Sequence, residues 1–502
     1  MHDAAVDRTP PTGRAAEPRR ASLLLAVVGV LLTLACALAT RRMPFTPSFP
    51  DAGVSVDFVQ LLGPGWERPT MLYVGFVTTT FALYAVALLL VWRTPRVSRV
   101  ALCGFPLLAA LALLPMYPPT AMDMFHYQAM GRVFWVFGEN PLQTPQGLYP
   151  YPIGLSWSEL ASPYGPLWSL LVAPAVLLPG EHLLAGLYAF KAMALLSLAG
   201  CTALIWVLVR RRRPGAEAFA VALFAWNPFV LMRVVADGHN DLWMMLFVLL
   251  AFERIERGRW NASIVALALG VLVKFVPAVL GPPFVLYIWT HAAGTPRQRA
   301  LTVVEACAFG AATVALVYLP FWEGLATLDN VRKEAQHAIT STPVLLQLVT
   351  TSWLDEPLAT RLAFAGTKLL YALAYAPLVW QARRSFDRLV GASFAILFVY
   401  LVLAATWFRP WYMLWPMALA ALQPRGWLGA TAVTITLTAA FPDLVEQYRS
   451  HWPLIAEYHR AIAAPIVLAF LPPLVVWLRG VGETNSFTLQ REAPPSGAAT
   501  EA

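Results

Sequence analysis

The stretch "TAMDMFHYQAMGRVFWVFGENPLQTP", Thr120 to Pro145, places an acid, an imidazole, a phenol and a guanidinium directly after an apolar run, in a chain where charge is scarce. On a helix Asp123, Tyr127 and Gly131 share a face, with His126 beside them. A carboxylate there suits a general base, because it is ionised near neutrality and partial burial raises its proton affinity. The competing reading is a helix-capping or interfacial carboxylate. "DGHND", Asp237 to Asp241, is the second cluster. Its His239 can relay a proton or donate to a phosphate, and Asp237, Asn240 and Asp241 can bind hydroxyls; a polar turn between two helices is the alternative. Lys274 in "LGVLVKFVPAVLGPP" and Arg409 in "TWFRPWYMLW" can each neutralise a phosphate, or simply snorkel. Tyr412, with Trp407, Trp411 and Trp415, reads as a sugar or lipid platform or as an interfacial aromatic belt.

Groups of these types must be positioned by elements that hold them at a membrane. The chain has 502 residues, 58% hydrophobic and 13% charged, with a mean hydropathy of +0.60. That composition identifies an integral membrane protein and leaves little room for a separate soluble domain. Cys36, Cys103, Cys201 and Cys307 lie in apolar runs without paired spacing, which reads as packing rather than disulfide or zinc chemistry. The formal net charge of +8 comes from arginines in short loops between apolar runs, an orientation signal and not a nucleic-acid surface.

Placing Arg93, Arg96 and Arg99, Arg210 to Arg213, Arg254, Arg257 and Arg259, Arg297 and Arg299, Arg383, Arg384 and Arg388, Arg425 and Arg479 in the cytoplasm yields one consistent topology. Its spans lie near 21–40, 71–92, 100–117, 183–209, 216–235, 239–253, 260–275, 277–290, 300–320, 361–381, 389–408, 411–423, 427–441 and 461–478. This is an all-α polytopic membrane protein with about fourteen membrane segments. Several are short or re-entrant, including residues 164–180, and such segments survive where neighbours cover their backbone. The transmembrane domain covers 21–481, between disordered cytoplasmic tails at 1–20 and 482–502. The first apolar run, 21–39, reads as an anchor because it is longer than the core of a signal peptide. The loop 118–163 falls outside, on the same side as "DGHND", Lys274, "FWEGLATLDNVRKEAQHAITSTP" and "FRPWY".

No Gly-rich phosphate loop, HExxH or Asp-x-Asp pair occurs, so no metal and no cofactor is expected. The ordered set "AMDMFHYQAMGRVFWVFGENPL", "SPYGPLW", "WNPFVLMRVVADGHNDLWMM", "VLVKFVPAVLGPP", "YLPFW" and "FRPWYMLWPMAL" resembles bacterial GT-C glycosyltransferases over roughly residues 100–420. The likeness is to polyprenol-phosphate-mannose-dependent mannosyltransferases and glycosyltransferase family 87. It implies an all-helical fold, a catalytic Asp123 in the first large external loop, a sugar on a polyprenyl phosphate as donor, and a glycolipid or glycan acceptor. Inversion at the anomeric carbon is implied too, in the cytoplasmic membrane with the site outside. A secondary transporter or lipid-linked-sugar flippase is the alternative; the two halves of the chain show no duplicated motif pattern of the sort such proteins carry.

Overall fold

The computed structural model describes residues 13–48, 67–151, 157–328, 338, 340–448 and 458–492. Parts of the expected loop "FWEGLATLDNVRKEAQHAITSTP" and of both expected tails lie outside the described residues. All regular structure among the described residues is helical. Eight helices are long and apolar enough to cross a membrane: Pro18–Arg42, Glu67–Arg93, Leu183–Arg212, Pro296–Phe321, Glu356–Ala382, Phe386–Ala404, Trp427–Glu446 and Ile462–Val481. A ninth forms if Glu217–Ala225 and Pro228–Ala236, bent by 52°, count as one span. The protein is therefore an all-α polytopic membrane protein. The remaining expected spans are helices of less than membrane length, among them Arg99–Leu113, Asp241–Glu256, Trp260–Val273 and Gly281–His291.

The breaks have readable causes. Pro228 has no N–H to continue the preceding helix, and Asn227 caps the restart by accepting from the amides of Phe229 and Val230. Residues 164–180 form two short helices, Pro166–Leu171 and Ala173–Leu177, each with proline in its first turn, as a re-entrant segment requires. π-helical turns at Met232–Ala236 and Tyr400–Ala404 end two spans just before "DGHND" and "FRPWY"; such turns mark local irregularity near functional groups.

Helices near the centre of the chain's packing, such as Glu217–Ala225 and Phe386–Val399, are buried on nearly every side. Pro296–Tyr318 and Glu356–Ala382 instead turn Leu301, Leu316, Leu369 and Leu373 outward, the surface a lipid bilayer covers. The first helix begins at Gly13 and the last runs to Glu492. One expectation needs correction. Cys36 and Cys201 are buried, whereas Cys103 and Cys307, expected to be packing residues too, are exposed on helix faces turned from the core.

Candidate active site

A cavity of about 440 Å³ opens where the short elements meet. Asp123, His126, Lys274, Arg409 and Tyr412 all line it, with Thr120, Tyr164, Trp157, Trp407, Trp411 and Trp415. Charged groups and broad aromatic faces thus share one space. This is the composition of a site that orients a polar ligand against apolar surface.

Asp123 opens the helix Asp123–Trp135, which begins after the Pro118–Pro119 pair. A carboxylate in the first turn is favoured by the helix dipole. It is not the cap: Met122 holds the cap position without a side-chain hydrogen bond, and Asp123 Oδ1 accepts from the Tyr164 hydroxyl at 2.8 Å. Burial pushes the Asp123 carboxyl up, but His239, Lys274, the Tyr164 hydroxyl and His126 outweigh it and hold the group below its ordinary 3.8. Tyr164 is held well above 10.0, by burial first and the Asp123 carboxylate second, so it stays a donor. On the next turn His126 Nδ1 meets Gln146 Nε2 at 2.6 Å. Burial lowers that imidazole further than Asp123 and Gln146 raise it, which favours its neutral form.

Tyr164 and Lys274 are brought together by backbone. The Gly165 amide donates to the Val273 carbonyl at 3.0 Å, and a side chain on Gly165 would collide with the Leu272 carbonyl. That close approach, possible only for glycine, seats Tyr164 beside Lys274. Lys274 itself ends the helix Trp260–Val273 in an extended conformation. Its Nζ donates to Asp241 Oδ2 at 2.8 Å and lies 5.6 Å from the ring centres of both Tyr164 and Tyr412. Asp241 is fully buried and accepts a second bond at Oδ1 from Trp415 Nε1 at 2.6 Å. Asp241 therefore fixes Lys274, a different role from the hydroxyl binding its sequence context suggests. Arg409 pairs more loosely with Glu446 at 3.5 Å and lies near the rings of Trp407 and Trp411. Tyr412 stacks on Trp415 with ring centres 4.5 Å apart.

Five of the expected residues, Asp241 among them, do not line this cavity. His239 is completely buried, stacked on Trp411 with ring centres 4.2 Å apart, and neither ring nitrogen has a hydrogen-bond partner. Tyr127 donates to Asn240 Oδ1 at 3.1 Å, so the amide expected to bind a hydroxyl is already held by a phenol. Asp237 accepts from Thr120 through both its backbone amide, at 3.0 Å, and its hydroxyl, at 2.5 Å. The common cause is the turn at Gly238, whose φ of +77° folds "DGHND" back under the Asp123 helix, where a side chain on Gly238 would sit 2.9 Å from Met124 Sδ. These residues form the floor beneath the site. Sequence reasoning did not single out Thr120, Gln146, Lys191 or Arg233; the last two are cations inside apolar runs, the available signal.

The fold and cavity define a multi-pass, all-helical membrane protein with one carboxylate and two cations converging on an aromatic-walled pocket. The family described as alpha-(1->6)-mannopyranosyltransferase, N-terminal domain, matches residues 23–291, and the chain belongs to that family. The matched stretch contains Asp123, Tyr164, Asp241 and Lys274, while Arg409 and Tyr412 lie beyond it. The chain is 24% identical over 336 residues to alpha-(1->6)-mannopyranosyltransferase A of Mycobacterium tuberculosis, covering 62% of each protein. It is 26% identical over 171 residues to alpha-(1->6)-mannopyranosyltransferase B of Corynebacterium glutamicum, covering 31% of this chain and 28% of that one. A third match, at 25% over 180 residues, is to alpha-(1->6)-mannopyranosyltransferase A of the same organism, with 35% and 36% covered. In each case the matched part is less than two thirds of the relative's own length.

Proposed function

We propose that the protein is an inverting mannosyltransferase that moves mannose from a polyprenyl-phosphate donor to a glycolipid or glycan hydroxyl, forming an α-1,6 linkage, on the external face of the cytoplasmic membrane. One observation carries the reading: Asp123, Lys274 and Arg409 line one cavity whose other walls are tryptophan and tyrosine. Asp123 takes the proton from the acceptor hydroxyl as its oxygen attacks the anomeric carbon. The bond from that carbon to the phosphate oxygen breaks, and the polyprenyl phosphate leaves with the electron pair. Lys274 and Arg409 meet the charge that grows on the leaving phosphate, and preorganised cations in a site shielded from water are the strongest form of such stabilisation. The aromatic wall accommodates isoprene units and a sugar face.

Asp241, Asn240, Tyr127 and Asp237 serve this reading as positioning residues below the cavity. His239 acts through Trp411, on which it stacks. The linkage and the sugar follow the names of the relatives. The test is direct: purified full-length protein is incubated with polyprenyl-phosphate mannose and candidate mannosyl glycolipids. Extension of a glycolipid by one mannose is expected; no transfer to any acceptor, with donor flipping across vesicles instead, would support the transporter alternative.

A further inference from the structure

Two buried cations outside the cavity sit within a hydrogen-bond network around the Asp123 loop. Lys191, fully buried inside the span Leu183–Arg212, donates to the carbonyls of Met116 and, at 2.7 Å, of Ala236. The first carbonyl belongs to the segment that leads into Thr120 and Asp123. The second closes the π-helical turn that leads into "DGHND". Arg233, on that same turn, donates to the Thr120 hydroxyl and to Asp443, and lies 3.4 Å from Asp237 Oδ2. Thr120 in turn donates its amide and hydroxyl to Asp237. Arg233 thus bridges two carboxylates, Asp237 and Asp443.

We infer that Lys191, Arg233, Asp237 and Asp443 form an ionic clamp that fixes Thr120, and through it the Asp123 carboxylate three residues on, against the "DGHND" turn. These are positioning residues; they touch no reacting atom. Stability alone does not account for the clamp, because buried ion pairs are commonly no more stabilising than apolar residues of similar volume, whereas removing one partner strands a charge. Charges at membrane depth are costly and rare. The geometry points to register: Arg233 and Asp237 meet on Thr120, which also lines the cavity, Asp443 holds Arg233, and Lys191 ties together the carbonyls of Met116 and Ala236. Asp443 brings in the C-terminal part of the chain, where the helix Pro442–Tyr448 also carries Glu446, the partner of Arg409. Residues 443 and 446 fall on one face of that helix, so a single short element holds both the clamp and the candidate phosphate-binding arginine.

The catalytic consequence rests on the function proposed above, so the experiment has one arm that does not. Full-length Asp443→Asn, Thr120→Val and Thr120→Ser proteins are compared with wild type by amide hydrogen exchange and by turnover per mole of monodisperse protein. Exchange across residues 118–126 is expected to quicken at least tenfold in Asp443→Asn and Thr120→Val, with the helix Trp260–Val273 unchanged, while Thr120→Ser stays near wild type. Turnover with both substrates saturating should fall about tenfold in the first two, with donor KM within twofold. Unchanged exchange in 118–126, or an equal rise across the helix at 260–273, overturns the clamp. Absence of mannosyl transfer in wild type would remove the proposed function while the exchange result still decides the clamp. Should Asp443→Asn fail to fold, Thr120→Val, which replaces the hydroxyl by a methyl of similar size, decides alone.

Discussion

The Tyr164 hydroxyl donates to Oδ1 of Asp123 at 2.8 Å, joining the first residue of one helix to the loop that precedes a pair of short helices. That bond favours the ionised carboxyl, as do His239 and Lys274, and together they outweigh burial and keep Asp123 below 3.8. A group whose folded value is depressed stays charged above its ordinary value and is lost only as pH falls through the lower folded one. Transfer measured as kcat/KM should therefore stay flat from about pH 5 to 7 and fall only below pH 3.8; Asp123's contribution to stability is lost in that same acid window. In Tyr164→Phe the acid limb should move toward neutral pH, with kcat at pH 7 reduced less than about tenfold because the carboxylate remains. An acid limb that does not move would separate Tyr164 from the titration of Asp123.

Asp123→Asn keeps size and much of the hydrogen bonding but cannot accept a proton. Mannosyl transfer should fall by roughly two to four orders of magnitude while expression and donor binding stay near normal. Asparagine caps helices about as well as aspartate, and the cap position here is Met122, so the substitution should not unwind the helix. Single-turnover rates on folded protein decide the matter, and near-normal transfer would remove the base assignment.

The two cations should separate by what each leaves behind. Lys274→Ala strands Asp241, which is fully buried, and loss of one partner of a buried pair costs about 3–5 kcal/mol. Arg409→Ala breaks a half-exposed pair with Glu446 that contributes about 0–1 kcal/mol. Both should weaken donor use at least tenfold, since a charge-assisted phosphate contact contributes about 1.5–3 kcal/mol. Only Lys274→Ala should lower Tm appreciably. The double variant Lys274→Met with Asp241→Asn should recover Tm without recovering donor use. Unchanged donor kinetics in both single variants would return the two residues to a structural role.

Much of the architecture is legible in the sequence because apolar length and arginine placement are local signals. The runs at 71–92 and 183–209 become Glu67–Arg93 and Leu183–Arg212, and the segment 164–180 is interrupted as its prolines require. The cavity residues Asp123, His126, Lys274, Arg409 and Tyr412 are legible for a related reason: each is a polar group at the end of an apolar run. What is not legible is direction. "DGHND" gives no sign that Gly238 folds Asp237 and His239 beneath the site, because that outcome depends on the seat offered by Thr120 and Trp411, both remote in sequence. Lys191 and Arg233 are hidden inside apolar runs that read simply as spans, and their partners are backbone carbonyls and an aspartate 210 residues away.

Activity should persist in a chelator. Among the described residues no three His, Cys, Asp or Glu side chains converge to hold a metal ion. Asp237 and Asp241, the two carboxylates of "DGHND", are already engaged with Thr120 and Arg233 and with Lys274 and Trp415 respectively. A metal would have to displace those partners. Complete loss in EDTA, restored by a divalent ion, would require that rearrangement and make the pair ligands.

The proposed orientation of the site rests on one helix. Leu183–Arg212 has 30 residues, about 45 Å at the α-helical rise, more than the roughly 30 Å of a bilayer core. Its first residue, Leu183, accepts at its carbonyl from Gln128 Nε2 at 2.7 Å, and Gln128 lies on the same helix as Asp123. Its last turn is Arg210 to Arg212, the kind of cluster retained in the cytoplasm. Asp123 must then lie across the membrane from that cluster. In a background with the exposed Cys103 and Cys307 changed to serine, Leu148→Cys, which is 70% exposed in the site's own loop, should react with a membrane-impermeant thiol reagent in intact cells. Arg212→Cys should react only after the cells are opened. Labelling of Arg212→Cys alone in intact cells would invert the protein and move the cavity to the cytoplasmic side, which would overturn the external-face proposal.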